Sequence, residues 1–211
     1  MADDLKYGYK GAEPTQSFGN NTGVFDPNDI NNLIADNKWT QFGQLELIET
    51  IDISTSTAYV DFTNLGNYNV HFMTINNGLH SSGVNYIRIR FIENGTLQSG
   101  SVYQYANQMN QAFSGAFERK STSNTSIEHT LQLFSSGESF GSSYCYFYNL
   151  KDSSKYSFTT CHSIARYGDA EAGFGSGVMT QSSLVDGIRV YGGGFVNWTR
   201  VSISLYGIRY S

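Results

Sequence analysis

The sequence predicts an all-β protein, an antiparallel β-sandwich or jelly roll with one short N-terminal helix. Three observations lead there. From about residue 43 onward, apolar and polar residues alternate with a period of two in one run after another. The runs are separated by Gly, Asn and Ser clusters, with no intervening stretch of helical periodicity. Aromatic residues make up 15% of the 211, nearly all of them Tyr (15) and Phe (14), while charged residues at 15% fall well below the usual quarter. A chain of 23.4 kDa suits one domain with an appendage and buries roughly 70% of its unfolded surface. Neither a metal nor disulfides are required to hold it, and no cofactor is implied.

The elements follow in order. Residues 1–25 form a Gly/Asn-rich lead with scattered aromatics (Tyr7, Tyr9, Phe18, Phe25) and no period, which suggests a segment that lies against something. Asp26-Pro27-Asn28-Asp29 then offers an acidic cap, Pro at the first helical position and a first-turn carboxylate. Ile30, Leu33 and Ile34 fall on one stripe, so a short helix is expected to end near Lys38, with Trp39 packing beneath it. The division is therefore 1–41, a lead and helix for docking or oligomerisation, and 42–211, the β-sandwich.

In Leu45–Ile53 the odd positions are apolar except Glu49, as in a half-buried strand. Val60 and Phe62 alternate with Tyr59 and Asp61. Tyr68, Val70 and Phe72 alternate with Asn67, Asn69 and His71, which places His71 on a polar face. Ile87, Ile89 and Phe91 alternate with Arg88 and Arg90, and Asn94-Gly95 supplies a hairpin turn. Residues 101–106, 129–134, 143–149, 155–166, 187–192 and 200–210 give further strands, about ten in all. Polar stretches at 107–128 and 167–186 read as surface loops, and Gly173–Gly177 and Gly192–Gly194 as turns.

A net charge of −5 supplies no surplus of Lys and Arg to displace phosphate counterions, so nucleic acid is not an expected partner. The acidic start is unlike a signal peptide and no apolar run approaches the roughly 20 residues of a membrane span. The chain is expected to be made in a cytosol and not inserted in a membrane. Cys145 and Cys161 read as buried free thiols. Gly137-Glu138-Ser139-Phe140-Gly141 spells a nucleophile elbow but is followed by strand-like residues where that motif needs a helix. Glu46, Glu49, Asp52 and Asp61 read as neighbours on adjoining strands, where a hydrolytic carboxylate pair is geometrically possible. His71, His80 (placed in a loop), His129 and His162 show no metal-ligand spacing. Sequons at Asn20, Asn94, Asn124 and Asn197 fit chance in an Asn/Ser/Thr-rich chain. No catalytic set emerges, and the mixture of Tyr with Ser, Gly and Asn is one that binding surfaces use.

Three stretches resemble a family of small structural proteins of tailed bacteriophages, especially phages of marine cyanobacteria and other marine bacteria. Residues 40–53 with 57–76 look like the family's opening hairpin. Residues 146–166 match its Y-x-x-D-S-S-K/R-Y hairpin. Residues 186–209 match an I-R-V strand, a glycine-rich turn and a terminal S-L-Y-G-I strand. The resemblance implies a β-sandwich virion component, a capsid decoration or fibre or a tail fibre or knob, and carries over no catalytic residues. On this reading the protein forms homo-oligomers, expected as trimers. Tyr7, Tyr9, Phe18, Ile30, Leu33 and Trp39 would dock it to the particle or to partner subunits. The other reading is a carbohydrate-binding module in which exposed Tyr and Trp198 stack on sugar rings of a host-surface glycan.

Overall fold

In a strand, successive side chains point to opposite faces, so period-two alternation becomes a sheet with one buried side. The computed structural model describes residues 27–35, 45–135 and 140–208. Within them the chain forms helix α1 (Pro27–Ala35) and thirteen strands: β1 (Leu45–Ile53), β2 (Tyr59–Phe62), β3 (Val70–His80), β4 (Val84–Glu93), β5 (Thr96–Leu97), β6 (Tyr103–Gln111), β7 (Gly115–Asn124), β8 (Ile127–Phe134), β9 (Gly141–Tyr148), β10 (Ser157–Tyr167), β11 (Asp169–Met179), β12 (Val185–Gly192) and β13 (Trp198–Ile208). All pair antiparallel, in an eight-stranded sheet ordered β1-β13-β3-β9-β10-β11-β6-β7 and a smaller sheet ordered β2-β12-β4-β5, with β8 on β4. The fold is the expected all-β sandwich with a single short helix. In α1, Ile30 is half-buried and Ile34 exposed. Tyr7, Tyr9, Phe18 and Trp39 lie outside the described residues. No described helix is long and apolar enough to cross a membrane.

The core lies between the sheets. Met73, Ile75, Phe147, Trp198, Ile203 and Leu205 face it from the large sheet, and Val60, Phe62, Ile87, Ile89, Phe91, Ile188 and Val190 from the small one. Each fully buried side chain of this kind contributes roughly 1.5–3 kcal/mol. Asn94 (φ 49°) and Gly95 (φ 74°) form the expected turn between β4 and β5, both in the left-handed region that primed hairpin turns require. Gly95 N–H donates to Asp186 Oδ2 at 2.9 Å, which ties this turn to the start of β12.

Several sequence expectations are corrected. The polar stretch 107–128 is not a loop: it ends β6, turns, and returns as β7 and the start of β8. Most of 167–186 is strand β11, including Gly173–Gly177. Glycine hides these strands, because Gly173, Gly175 and Gly177 point inward at β11 positions where an apolar alternation would otherwise show. A Cβ at Gly177 would sit 2.5 Å from Ile127 Cγ2, and one at Gly173 2.8 Å from Thr130 Cβ. The missing side chains let β8 lie directly on the large sheet. Over Gly175, the inward Asn107 of β6 takes the space and donates from Nδ2 to the Glu128 carbonyl at 2.8 Å.

The face assignment of β3 is inverted: His71, Met73 and Ile75 are buried and Phe72 and Thr74 point outward. His71 tolerates burial because Nε2–H donates to the Leu65 carbonyl at 2.7 Å. His80 closes β3, buried beside Trp198 with ring centroids 4.9 Å apart, and is not in a loop. In β1 a bulge between Leu47 and Glu49 switches faces, so Leu45 and Leu47 point outward while Ile51 and Ile53 pack inward. β1 pairs with β13 and not with β2, so residues 40–76 do not form an opening hairpin.

Replacing Gly177 by Ala should lower stability by roughly 1–3 kcal/mol, since Ile127 is branched and cannot swing aside. A matching fall in the urea midpoint at unchanged far-UV circular dichroism checks it. Burial lowers His80 from 6.5 to about 4 and His129 from 6.5 to about 3. As pH falls below about 6.5 the unfolded chain takes up these two protons while the folded protein does not. Stability intact above that pH therefore drains by about 1.4 kcal/mol per pH unit for each group. The loss from His80 stops near 4 and that from His129 near 3. Urea midpoints measured from neutral pH downward should trace this slope, and His80→Gln should remove one group's share.

Candidate functional site

Because the inward side of the large sheet is committed to the core, its other face is available for contact. The strand registers place outward side chains in rows across the sheet. One row runs Thr74 (β3), Tyr144 (β9), His162 (β10), Phe174 (β11) and Gln108 (β6), each directly opposite the next. The row beside it runs Leu47 (β1), Tyr206 (β13), Phe72 (β3), Tyr146 (β9) and Thr160 (β10). Directly opposed residues on neighbouring strands lie close enough for their side chains to touch, so aromatic residues in register become a continuous stripe. Tyr144 and His162 stack with centroids 5.2 Å apart and 13° between planes. Phe72 meets Tyr146 at 4.9 Å and Tyr206 at 6.0 Å. Phe174 stands 6.3 Å from His162, tilted by 40°.

Large apolar side chains on this face remain open to solvent: Ile164 is 67% exposed, Leu47 59% and Phe174 51%. The stripe changes character along its length. At the β1–β13 end, Leu45, Leu47, Tyr206 and Ile208 oppose one another as a mainly apolar block. Towards β10, β11, β6 and β7 the rings are set among Thr160, Ser176, Gln108, Asn110, Glu118 and Lys120, with two hollows of about 480 and about 470 Å3 on either side of Phe174. A third hollow of about 710 Å3 lies beside Phe158 and Val178.

The other candidates resolve differently. Glu46, Glu49 and Asp52 lie on β1 and Asp61 on β2, in different sheets, so they are not strand neighbours. Asp61 accepts a two-pronged bond from Arg189, at 2.7 and 2.6 Å, and Arg189 in turn covers the Tyr59 ring. Glu46 accepts a bond from Tyr68 O–H at 2.6 Å. The acids that sequence reasoning did not single out are Glu128 and Glu171, both buried. Glu128 pairs with Arg119 and, at 3.5 Å, with Arg88, while Arg119 lies over Tyr86. Glu171 accepts from Gln111 at 2.5 Å, and burial raises its carboxyl. Burial, with Glu171 nearby, pushes Tyr86 up to about 12. The Glu128 pairs join β8 to β4 and β7, and the Glu171–Gln111 bond joins β11 to β6.

Cys145 and Cys161 are free, buried and directly opposite each other on β9 and β10. His129 Nδ1 accepts the Leu131 N–H at 2.9 Å, so the ring proton is on Nε2, which donates to Cys145 Sγ at 2.9 Å. An imidazole already donating to a sulfur cannot also take its proton. Burial pushes the Cys145 thiol well up and the imidazole down, so neither ion of a reactive pair forms. Trp198, expected as an exposed sugar-stacking residue, is fully buried. Of the predicted docking residues, Ile30 and Leu33 are in α1, and the others lie outside the described residues. Gly137–Ser139 also lie outside them, and Gly141 opens strand β9. No group of three or more His, Cys, Asp or Glu able to hold a metal is found among the described residues.

Comparison with protein-family models, with curated proteins and with solved structures finds no match for this chain.

The buried thiols make a direct check of this arrangement. Neither Cys145 nor Cys161 should react with a neutral aromatic disulfide reagent in the native protein over an hour at slightly alkaline pH. Both should titrate at once in denaturing guanidinium. Rapid labelling of either thiol in the native state would contradict the packing of β8 over β9 and β10.

Proposed function

We propose that the chain is a structural protein of a tailed-bacteriophage particle, a capsid decoration or fibre or a tail fibre or knob component, that works by attachment and not by catalysis. The observation that carries this reading is the outer face of the eight-stranded sheet. It presents in-register aromatic residues, half-buried and exposed, on a scaffold whose opposite face is the core. A monomer that leaves large apolar side chains contiguous on one face is equipped to meet another surface. The likeness of residues 146–166 and 186–209 to phage virion proteins supplies the context; the first covers the β9–β10 hairpin and the second a strand, a tight turn at Gly193–Phe195 and a closing strand, while the third stretch, 40–76, is not a hairpin.

The reading assigns the two ends of the face to different duties. The apolar block of Leu45, Leu47, Tyr206 and Ile208 lies on β1, the outermost described strand of the large sheet, and its neighbour β13, and suits contact with further copies of the chain in a homo-oligomer, a trimer. The ring-and-amide end, around Tyr144, His162 and Phe174, suits an outside partner. Residues 1–41 dock the protein to its particle. The phage particle is the final location, reached from the host cytoplasm where the chain is made.

Virions separated into heads and tails and probed with an antibody to this chain should show it in one fraction. Its absence from purified particles would defeat the reading. Leu47→Asp should reduce the oligomer to monomer in analytical ultracentrifugation with an unchanged far-UV circular dichroism spectrum, because the residue is exposed and outside the core.

A further inference from the structure

Phe174 sits differently from the other rings of the face. Along β11 its outward neighbours are the small side chains of Ala172 and Ser176. Across the sheet, His162 flanks it on β10 and Gln108 on β6. The ring is therefore a fin, half exposed, rising between two hollows of about 480 and about 470 Å3 that share it as a wall. Each hollow falls in the roughly 300–1,000 Å3 range of small-molecule sites.

The polar groups around the fin narrow the ligand class. On one side stand Gln108, Thr160, Ser176 and the ring nitrogens of His162; on the other, Asn76, Asn110 and Thr74. These are hydroxyl, amide and imidazole groups, able both to donate and to accept. The charges beside them cancel, because Lys120 Nζ bonds Glu118 Oε2 at 3.0 Å. A hollow with an aromatic wall, amide and hydroxyl rims and no net charge complements a neutral polyhydroxylated ring with one apolar C–H face. It does not complement a phosphate or an acidic peptide. Nor does a fin between two hollows suit a stable protein contact, which needs roughly 800 Å2 of matched surface from each partner.

We infer that the hollows flanking Phe174 are adjacent saccharide subsites, in which the apolar face of a pyranose stacks on each side of the Phe174 ring while Gln108, Thr160 and Ser176, or Asn76 and Asn110, bond its hydroxyls. The inference rests on the reading of this face as the contact surface and adds the chemistry of what it contacts. Two subsites on one ring call for an oligosaccharide rather than a single sugar.

The full-length chain on an array of bacterial O-antigen and capsular oligosaccharides, followed by calorimetric titration with the brightest of them, tests this. Wild type should bind. Phe174→Ala should weaken binding by about tenfold or more, Phe174→Trp should preserve it, and Phe113→Ser, an exposed aromatic in the β6–β7 turn, should leave it unchanged. A dark array, or binding by Phe174→Ala equal to wild type, overturns the inference. A fall to a smaller species for Phe174→Ala in ultracentrifugation overturns it too, since a second copy then covers the fin. A dark array with the chain present in virions removes only the saccharide. A bright, Phe174-dependent array with the chain absent from virions removes only the particle.

Discussion

The closeness of β8 to the large sheet is the constraint from which much of the structure follows. β8 is hydrogen-bonded to β4, yet its side chains Ile127, Thr130, Leu131 and Leu133 press on the inner faces of β9 and β11. Only positions with no side chain can accept them, which is why Gly173 and Gly177 stand in β11 and Gly141 opens β9, while Gly175 between them makes room for Asn107 of β6. Three interior glycines weaken a strand, by something like 0.5–1 kcal/mol each. The offset comes from the contact they allow: Ile127, Leu131 and Leu133 are all fully buried.

The same closeness decides what the buried polar groups can do. His129, Cys145, Thr130 and Cys161 meet where β8 packs on β9 and β10, all four buried. A histidine beside a cysteine would suggest nucleophilic chemistry at a surface. Here the imidazole is held as a hydrogen-bond donor and the thiol is kept neutral, so the pair joins layers. Glu128 shows the opposite solution to burial: it is paired with two arginines, and one of these lies over Tyr86. Neutralise the group or pair it are the two ways a buried ionisable side chain is tolerated, and β8 uses both within two consecutive residues.

These features also mark how far the sequence could be read. The sandwich, the Asn94-Gly95 turn, and strands β4, β9, β10, β12 and β13 were legible because one face of each carries a recognisable set of residues. β7 and β11 were not. Their inward positions hold Gly, Phe, Arg and Ser, and an apolar count cannot see a buried glycine. The wrong face for β3 has a related cause. Phe72 is as apolar as Met73, because the outer face carries aromatics of its own, and alternation reports two faces without saying which is inside. The candidate site was visible only as composition, an excess of Tyr and Phe among Ser, Gly and Asn. Its location depends on registers, which join residues as distant as Phe72 and Tyr206, and no local pattern encodes those.

An outer face of this kind has to avoid being merely sticky. A uniformly apolar sheet face with an open edge strand would invite indiscriminate association. The face is graded instead. Beside β1 the outward residues are Leu45, Leu47, Tyr206 and Ile208. Away from that edge the rings of Tyr144, His162 and Phe174 neighbour one another but are bordered by Thr74, Thr160, Ser176, Gln108 and Asn110, and β7, the outermost described strand on the far side, carries Glu118, Arg119 and Lys120. Charged side chains on an edge strand discourage further strand addition. On the proposed reading, the aliphatic end beside β1 would serve assembly and the ring-and-amide end recognition, so that one face could carry both without the two competing.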